Sequence, residues 1–417
     1  MPIPLIGTLF SFLLIIGMAS RKTPLHLAVI SGTVLVGLSC GLTPVAVLAV
    51  AWQGLRDPAT LELISVIALI CISSYLLQRF QLLKRAVEDL DRLLPTTKLT
   101  IMLVPMLIGL LTVAGGAIIS APMVDQLGNR LQLEPHRRAA INLLYRHAGH
   151  FMFPFVPGII MASQLGGFPA TSLAALMSPV TLVLLLGGYF FLLRDITTEP
   201  PREDAASRRQ HALADLAGFL LNASPILLPL LLSIVLGMKF TLALALGIAL
   251  AVALIWWRQQ KVAQELPPLQ VIDLVMGLYE QRKLLFAATS IMIFRGMIIS
   301  TNVLTPYIGS MLAAGIPLSL LAVVFPFLMG SSTGQIASAI GICWPILISP
   351  GFTGAKLPLA MLMYISGYLG YFFSPLHLCT VLTNGYFKVE ISSSYKELAP
   401  IFIPLPPLMA ALYFFFH

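Results

Sequence analysis

One apolar segment, residues 142–157, carries the side chains that are best suited to bind a ligand. It places Arg146 four residues before His150, a spacing of about one helical turn that directs both side chains to the same side. A guanidinium group binds a carboxylate through two parallel hydrogen bonds, and an imidazole titrates near neutral pH. The segment therefore predicts an anion site at Arg146 and His150. The alternatives are an internal ion pair, for instance between Arg146 and Asp125, and histidines that are satisfied within a core.

A second apolar segment offers hydroxyl, amide and imidazole groups directly after Gly370 and Pro375. Helical spacing brings these groups near one another, where they can contact a polyhydroxylated ligand or an ion. A polar seam between helices is the alternative interpretation. The predicted substrate contacts in this segment are Ser374, His377, Thr380 and Asn384.

Two glycine-containing stretches, 114–122 and 330–335, place hydroxyl groups in the middle of apolar sequence. Glycine lets the chain reverse and expose its amides, which can bind an anion, while freed carbonyl groups can bind a cation. We expect the tips of two hairpins here; two ordinary helices joined by a tight turn are the alternative. The predicted substrate contacts in these stretches are Gly115, Gly116, Ser120, Ser331, Ser332 and Thr333.

These motifs occur twice, with a constant offset of 221 positions. Pro105, Gly109, Gly149, Phe151 and Pro154 recur as Pro326, Gly330, Gly370, Phe372 and Pro375. Glycine and proline interrupt helices that lipid otherwise keeps continuous. Matching broken helices in two halves of a chain point to the binding site of a secondary transporter. The predicted helix breaks are Gly149, Pro154, Pro157, Gly370 and Pro375.

The composition predicts an all-helical membrane protein. Of the 417 residues, 58% are hydrophobic and 10% are charged, whereas a soluble domain carries about 25% charge. Several apolar runs approach the ~20 residues that are needed to cross hydrocarbon. The net charge of +8 then reflects orientation in a membrane and not nucleic-acid binding. No cofactor or metal site is expected, because the cysteines are scattered and His147 and His150 lack an obvious third ligand.

The apolar runs divide into two repeats, 1–193 and 216–417, which a polar cytoplasmic linker at 194–215 joins. Each repeat is predicted to hold five crossings and one re-entrant hairpin, and this odd number of crossings inverts the second repeat relative to the first. The hairpins are expected at 100–127 and 317–350. The spans are expected at 3–20, 24–42, 60–78, 139–165 (broken), 170–193, 216–236, 240–257, 284–300, 357–385 (broken) and 399–416.

Basic residues set the predicted orientation. With the N-terminus and the C-terminus outside, the cytoplasmic loops receive 20 lysines and arginines, and the outside loops receive 3, namely Arg56, Lys239 and Lys356. This asymmetry follows the positive-inside rule. The two remaining basic residues, Arg146 and Arg295, fall inside apolar segments. Arg295 lies away from the breaks and is interpreted as structural or interfacial.

Three stretches, Gly115–Pro122, Ala140–His147 and Phe153–Ala162, resemble an uncharacterised prokaryotic integral-membrane family, number 401 among the domains of unknown function. That family is similar to the gluconate permeases of the ion-transporter superfamily. The resemblance implies a scaffold made from the first three spans of each half. It also implies a mobile transport unit, made of the hairpins and the broken spans, that works by an elevator mechanism. The expected location is the cytoplasmic membrane of a prokaryote.

We therefore expect a secondary active transporter of a small organic anion, such as a gluconate-like hydroxycarboxylate, driven by protons or sodium. The expected partners are this anion, the coupling ion, the lipid bilayer and a second copy of the chain in a homodimer. A channel or other non-catalytic membrane protein is the alternative. An intramembrane enzyme is less favoured, because we recognise neither the His-Glu-x-x-His motif of a zinc protease nor the Gly-x-Ser-x-Gly motif of a hydrolase. An ATP-driven pump is less favoured because a Gly-x-x-x-x-Gly-Lys-Ser/Thr motif is missing.

The predicted topology can be tested with single cysteines introduced into a chain whose native cysteines are removed. Cysteines that replace Arg85, Arg137 and Arg208 should react only with reagents that reach the cytoplasm, because positively charged loops stay inside. Cysteines that replace Lys239 and Lys356 should react from outside. Labelling of residues 79–98 and 351–356 from the same side would exclude the inverted arrangement.

Overall fold

The computed structural model of the chain is helical, and no strand occurs in the part that it describes. The described residues are 3–21, 23–109, 116–196, 205–261, 267–280, 282–303, 306, 310, 313–348, 354–374 and 377–416. This architecture confirms the all-α class that the composition predicts.

The first half of the chain contains ten α-helices within the described ranges. They are α1 (Ile3–Ser20), α2 (Leu25–Ser39), α3 (Pro44–Arg56), α4 (Pro58–Arg79), α5 (Leu82–Leu93), α6 (Thr97–Gly109), α7 (Gly116–Arg130), α8 (Pro135–Ala148), α9 (Pro157–Gly166) and α10 (Ala170–Leu192). A short 3-10 turn, Gly149–Phe151, follows α8 directly.

The second half follows with a similar order of helices. They are α11 (Ala205–Val235), α12 (Phe240–Lys261), α13 (Val271–Glu280), α14 (Arg282–Thr301), α15 (Leu318–Thr333), α16 (Ile336–Leu347), α17 (Lys356–Phe372), α18 (Leu378–Phe387), α19 (Ile391–Phe402) and α20 (Leu405–Phe416).

Six helical stretches in the described ranges are long and apolar enough to cross a membrane. They are Pro58–Arg79, Ala170–Leu192, His211–Ser233, Phe240–Gln260, Arg282–Thr301 and Ile391–Phe416. Shorter apolar helices include α6, α15 and α16, which belong to the predicted hairpins. These lengths and compositions are those of a multi-pass membrane protein.

Two predicted span boundaries need correction. The last span begins at Ile391 and not near 399, because the helix already starts there; Ser394 in its first turns is buried, and its hydroxyl donates to Asn384. The span expected at 216–236 is the end of α11, which begins at Ala205 within the predicted linker. This extension is held by Asp215, which binds Arg92 of α5 at 2.7 Å.

The helix starts repeat with the offset seen in the sequence motifs. Helices α6 and α15 begin at Thr97 and Leu318, which are 221 positions apart. The same separation holds for the starts of α8 and α17, of α9 and α18, and of α10 and α19. Gly167 and Lys388, also 221 apart, both end their helices in the left-handed conformation. The repetition therefore extends from residue types to backbone geometry.

The helices of the two halves pack in a reciprocal pattern. Helix α2 packs against α14, and α12 packs against α4. Likewise, α9 packs against α16 and α18 against α7, while α8 packs against α19 and α10 against α17. The further counterparts are α2 and α12, α4 and α14, and α7 and α16. When each helix is exchanged for its counterpart in the other half, each of these contacts becomes another contact of the same set. Two related halves that face one another produce such a pattern.

Charged residues collect where three of the predicted cytoplasmic loops meet. Lys98, at the start of α6, donates to the carbonyl of Ile196 at 2.7 Å. Arg137, at the start of α8, binds Asp195 through two hydrogen bonds of 2.7 and 2.8 Å. This bonding to Arg137 holds the pKa of Asp195 below its usual range. The starts of α6 and α8 and the end of α10 therefore lie at one end of the protein.

Close helix crossings are made at equivalent glycines in the two halves. A Cβ atom added to Gly109 would lie 2.0 Å from the carbonyl oxygen of Arg146. A Cβ atom added to Gly330, its counterpart, would lie 2.2 Å from the carbonyl oxygen of Gly367. Only glycine lets the hairpin helices α6 and α15 approach α8 and α17 this closely.

Substitution of Gly330 by alanine tests whether this contact holds the fold. The added methyl group must push α15 away from α17, and overpacking of this kind costs about 1–3 kcal/mol. We expect Gly330→Ala and Gly109→Ala to lower the thermal unfolding midpoint of the purified protein.

Gly385→Ala is the matched control, because no heavy atom of the described residues lies within 4 Å of its added Cβ atom. Alanine is favoured over glycine inside a helix by about 1 kcal/mol, so this variant should be as stable as the parent or more stable. Equal midpoints for Gly330→Ala and Gly385→Ala would contradict the close crossing.

Candidate functional site

The first interrupted span breaks where the sequence predicts it. Helix α8 ends at Ala148, Gly149 caps it and begins the 3-10 turn, and residues 152–156 are not helical. Pro154 lies within this non-helical stretch, and Pro157 occupies the first turn of α9. Proline suits that position because the first amides of a helix have no partner within the helix.

The second interrupted span breaks a few residues later than the motif suggests. Gly370 lies inside α17, which continues to Phe372, so Gly370 is not a break itself. Its role is close packing, because a Cβ atom there would lie 2.1 Å from the carbonyl oxygen of Phe327. The chain becomes helical again after His377, the N-cap residue of α18. Pro375 lies outside the described residues.

Side chains join the two interrupted spans to one another. The amide Nδ2 of Asn142 in α8 donates to Oγ1 of Thr383 in α18 at 2.9 Å. The hydroxyl of Tyr364 in α17 donates to the carbonyl of His150 at 2.7 Å. These bonds connect residues that are more than 200 positions apart, so the two breaks form one site.

Three histidines and a tyrosine meet at this junction, and we call them the histidine cluster: His147, His150, His377 and Tyr371. The ring centroids of His147 and His150 are 5.0 Å apart, and those of His147 and His377 are 4.8 Å apart. Tyr371 and His377 have centroids 4.0 Å apart. The Tyr371 hydroxyl lies 3.0 Å from Nε2 of His147.

The tautomer of His147 follows from its contacts. Its Nδ1 lies 2.7 Å from the carbonyl oxygen of Leu143. A carbonyl oxygen only accepts, so Nδ1 carries the proton and Nε2 presents its lone pair. The Tyr371 hydroxyl donates to that lone pair.

Buried polar atoms without a hydrogen-bond partner concentrate in the two interrupted spans. Among the described residues there are eight such side-chain atoms, and five of them belong to these spans. The five are Asn142 Oδ1, Tyr145 Oη, His150 Nδ1, Tyr368 Oη and His377 Nε2. A buried polar atom that lacks a partner costs about 1–3 kcal/mol. Such a concentration is therefore expected where a polar ligand or ordered water binds.

Arg146 lies in the last turn of α8, next to the break, and is 4% exposed. The ion pair with Asp125 that the sequence offers as an alternative is not formed. Asp125 instead binds Arg138 at 2.6 Å. The second cation of the apolar segments, Arg295, lies 3.6 Å from Asp57, which agrees with a structural role.

The hydroxyls of the second hairpin bind within the hairpin. Ser332 donates to the carbonyl of Leu328 and Thr333 to that of Met329, each at 2.7 Å. Ser331 contributes its carbonyl oxygen, which accepts a hydrogen bond from the Ser374 hydroxyl at 2.5 Å. This hairpin therefore touches the second break through backbone groups more than through its own hydroxyls. Gly334, in the left-handed conformation, makes the turn between α15 and α16.

The first hairpin is described only in part. Gly115 lies outside the described residues, and Gly116 is the first residue of α7. Ser120 is buried and donates to the carbonyl of Ala117 within its own helix at 3.3 Å. The amide of Asn142 lies 3.4 Å from that same carbonyl, so α7 approaches the first broken span at this point.

Of the remaining predicted contacts, Thr380 lies at the histidine cluster, and Asn384 only stabilises the helices around it. Thr380 is buried, and its hydroxyl lies 3.0 Å from Nδ1 of His377, which it orients. Asn384 is committed to structure, because its amide donates to the carbonyl of Thr380 and its oxygen accepts from Ser394. Thr383, one position earlier, is the residue that reaches the other half.

Sequence reasoning missed Asn142, Tyr371 and Cys379, which the fold brings to the junction. The expectation that the chain has no Gly-x-Ser-x-Gly motif is wrong, because residues 330–334 have this spacing of a hydrolase nucleophile. In such enzymes the serine stands on a sharp turn between a strand and a helix. Here Ser332 lies in the last turn of α15 and bonds to its own helix. The geometry is not that of an activated nucleophile.

Comparison with protein families assigns the chain over nearly its whole length. A family model described as "Protein of unknown function (DUF401)" matches residues 5–414. The chain belongs to the DUF401 family. A search of curated proteins gives no match. The match spans both halves of this DUF401 protein, including both interrupted spans, and agrees with the resemblance seen at three stretches of sequence.

The bond between Asn142 and Thr383 can be tested by replacing Thr383 with valine. The variant keeps the side-chain shape but removes the acceptor, which costs about 1–3 kcal/mol when a buried donor is left unpaired. We expect a lower thermal unfolding midpoint, and a double-mutant cycle with Asn142→Ala should show coupling between the two sites.

Thr33→Val is the matched control, because Thr33 is buried and its hydroxyl bonds only to Val29 of its own helix. This variant should lose much less stability than Thr383→Val. Strictly additive losses for Asn142→Ala and Thr383→Val would show that the two spans are not joined by this bond.

Proposed function

We propose that this DUF401 protein is a secondary active transporter of a small organic anion of the hydroxycarboxylate class, with the substrate bound between the two interrupted spans. Arg146 binds the carboxylate, and the groups of the two breaks bind the hydroxyls. His150, His377, Ser374 and Thr380 are the nearest side chains for that second role.

The observation that carries this proposal is the chemistry of the junction. A buried arginine next to a helix break stands beside unpaired atoms such as Nδ1 of His150 and Nε2 of His377. The spans 139–165 and 357–385 contain no Asp or Glu. A guanidinium with neutral imidazoles and hydroxyls around it complements a carboxylate that carries hydroxyl groups.

The repetition of the fold supports the proposed transport mode. Repeated helix starts and reciprocal packing support two related halves, and an odd number of crossings in each half inverts one relative to the other. In this arrangement α6–α9 and α15–α18 form the mobile unit, and the longer helices α4, α12 and α14 belong to the scaffold. Both termini lie outside the cytoplasmic membrane of a prokaryotic cell, and the working unit is a homodimer.

A cavity offers a route from the predicted cytoplasmic side. It has a volume of about 730 Å³ and lies between α4, α5, α6 and α7. Its lining includes the charged residues Lys84, Glu88 and Arg130, and also Ile108 of α6. The next residue, Gly109, crosses the carbonyl of Arg146. The cavity is therefore lined by the first hairpin, one residue away from the crossing at the proposed anion site.

Protons or sodium drive transport in this proposal, through groups that the junction provides. Without a carboxylate in either interrupted span, a proton must be carried by His150 or His377. Sodium would instead use backbone carbonyls that the breaks release from helical bonding. Three carbonyls at the breaks, those of Ala148, His150 and Phe372, already accept side-chain hydroxyls, which favours the histidines.

Substitution of Arg146 by lysine tests the anion site. Lysine keeps the charge but loses the planar pair of donors, so gluconate or another anion found by thermal-shift screening should bind roughly 10–100-fold more weakly. Isothermal titration calorimetry measures binding, and proteoliposome uptake under separately imposed proton and sodium gradients measures transport and its coupling ion.

Arg295→Lys is the control, because Arg295 pairs with Asp57 away from the breaks and should leave binding unchanged. If Arg146→Lys binds and transports the anion as the parent does, Arg146 is a structural cation and the proposed site is wrong. Uptake driven by sodium alone, and unchanged in His150→Gln and His377→Gln, would exclude the histidines as proton carriers.

A further inference from the structure

We infer that the junction also holds a transition-metal site of the zinc class, with His147, His377 and Cys379 as its ligands. One ligand atom from each of these three residues lies within 4.8 Å of the other two. Tetrahedral zinc sites have bonds of about 2.0–2.3 Å, so their ligand atoms are roughly 3.5 Å apart. Side-chain rotations that move the three atoms inward by about 1 Å complete the geometry.

The surroundings of both histidines are those of metal ligands. His147 Nδ1 donates to the carbonyl of Leu143 at 2.7 Å, which leaves Nε2 as the coordinating atom. His377 Nδ1 lies 3.3 Å from the carbonyl of Phe372 and 3.0 Å from the Thr380 hydroxyl. With the proton on Nδ1, Nε2 of His377 keeps the lone pair that can coordinate a metal ion. A backbone carbonyl that binds the other nitrogen fixes the tautomer and raises the basicity of a ligating imidazole.

An independent observation indicates a ligand here. His377 is 1% exposed, and its Nε2 has no hydrogen-bond partner among the described residues. The corresponding atom of His147 accepts from the Tyr371 hydroxyl at 3.0 Å, a bond that a metal ion would replace. Nδ1 of His150 is also buried and has no hydrogen-bond partner among the described residues, but it is not one of the three ligand atoms, so His150 remains the proton carrier of the proposed function when the metal is bound.

The donor set selects the class of metal. One thiolate and two or three imidazole nitrogens suit Zn²⁺ and its spectroscopic substitute Co²⁺, and not Mg²⁺ or Ca²⁺, which require oxygen ligands. Binding releases the thiol proton of Cys379 to the solvent, because the thiolate is the ligand. The ligands come from both interrupted spans, so the bound ion would link the two halves of the protein.

Cobalt binding to the purified full-length protein tests this site without any transport assay. We expect one Co²⁺ per chain, with a near-ultraviolet thiolate-to-cobalt absorption band that Zn²⁺ abolishes by displacement. Cys379→Ser should eliminate the band. His377→Ala and His147→Ala should weaken Co²⁺ binding at least about tenfold, because even the supporting residues of a metal site contribute 10–100-fold.

Cys40→Ser is the matched control, because Cys40 is likewise a free and partly buried cysteine, and it should keep the band. Circular dichroism and the metal-free unfolding midpoint establish that each variant is folded. Absence of the band in the parent protein overturns the inference, as does a band that persists in Cys379→Ser. Cobalt bound without a thiolate band indicates a site elsewhere and also overturns it.

Discussion

Carbonyl groups released where a helix breaks inside a membrane protein must find partners other than water, and this requirement organises the junction. Each unsatisfied group in hydrocarbon costs several kcal/mol. At the first break, the carbonyl of Ala148 accepts from Thr181 at 2.8 Å and that of His150 from Tyr364 at 2.7 Å. At the second, the carbonyl of Phe372 accepts from Tyr395 at 3.1 Å. Hydroxyl side chains of other helices therefore stabilise both breaks, and each break depends on the packing around it.

The side chains at the site therefore fall into two groups: those that hydrogen-bond to the backbone of the breaks, and those that can bind a ligand. The hydroxyls of Tyr364, Tyr395 and Thr181 satisfy the backbone, and Asn384 binds within its own part of the chain. The imidazoles are different, because Nδ1 of each ligating histidine faces a carbonyl while its Nε2 is directed to the cluster. Nε2 of His377 has no partner among the described residues, and Nε2 of His147 is bonded only through the exchangeable Tyr371 hydroxyl, so each ring is supported on one side and can bind a ligand on the other.

The sequence predicts the position of the first break, but it places the second a few residues too early, and it does not predict how the two breaks pack against one another. Pro157 begins α9, as the preference of proline for the first helical turn indicates. Gly370 is wrongly predicted as a break, because glycine occurs both at helix breaks and at close helix crossings. Only the structure distinguishes the two, since a Cβ atom at Gly370 would lie 2.1 Å from the carbonyl oxygen of Phe327. The meeting of His147 with His377 and Cys379 cannot be read from periodicity, since it depends on how two distant halves pack. The repeat at 221 positions was the one signal that such a meeting would occur.

Electrostatics relates the anion site to the metal site. A divalent ion held by one thiolate and neutral imidazoles carries a net charge of +1, and this charge would lie beside the guanidinium of Arg146. Neither interrupted span supplies an Asp or Glu to offset it. Two positive groups in a buried site repel one another, and an anion that binds between them reduces the repulsion. Binding free energies are reciprocal, so a metal ion that strengthens anion binding must itself be held more tightly when the anion is present.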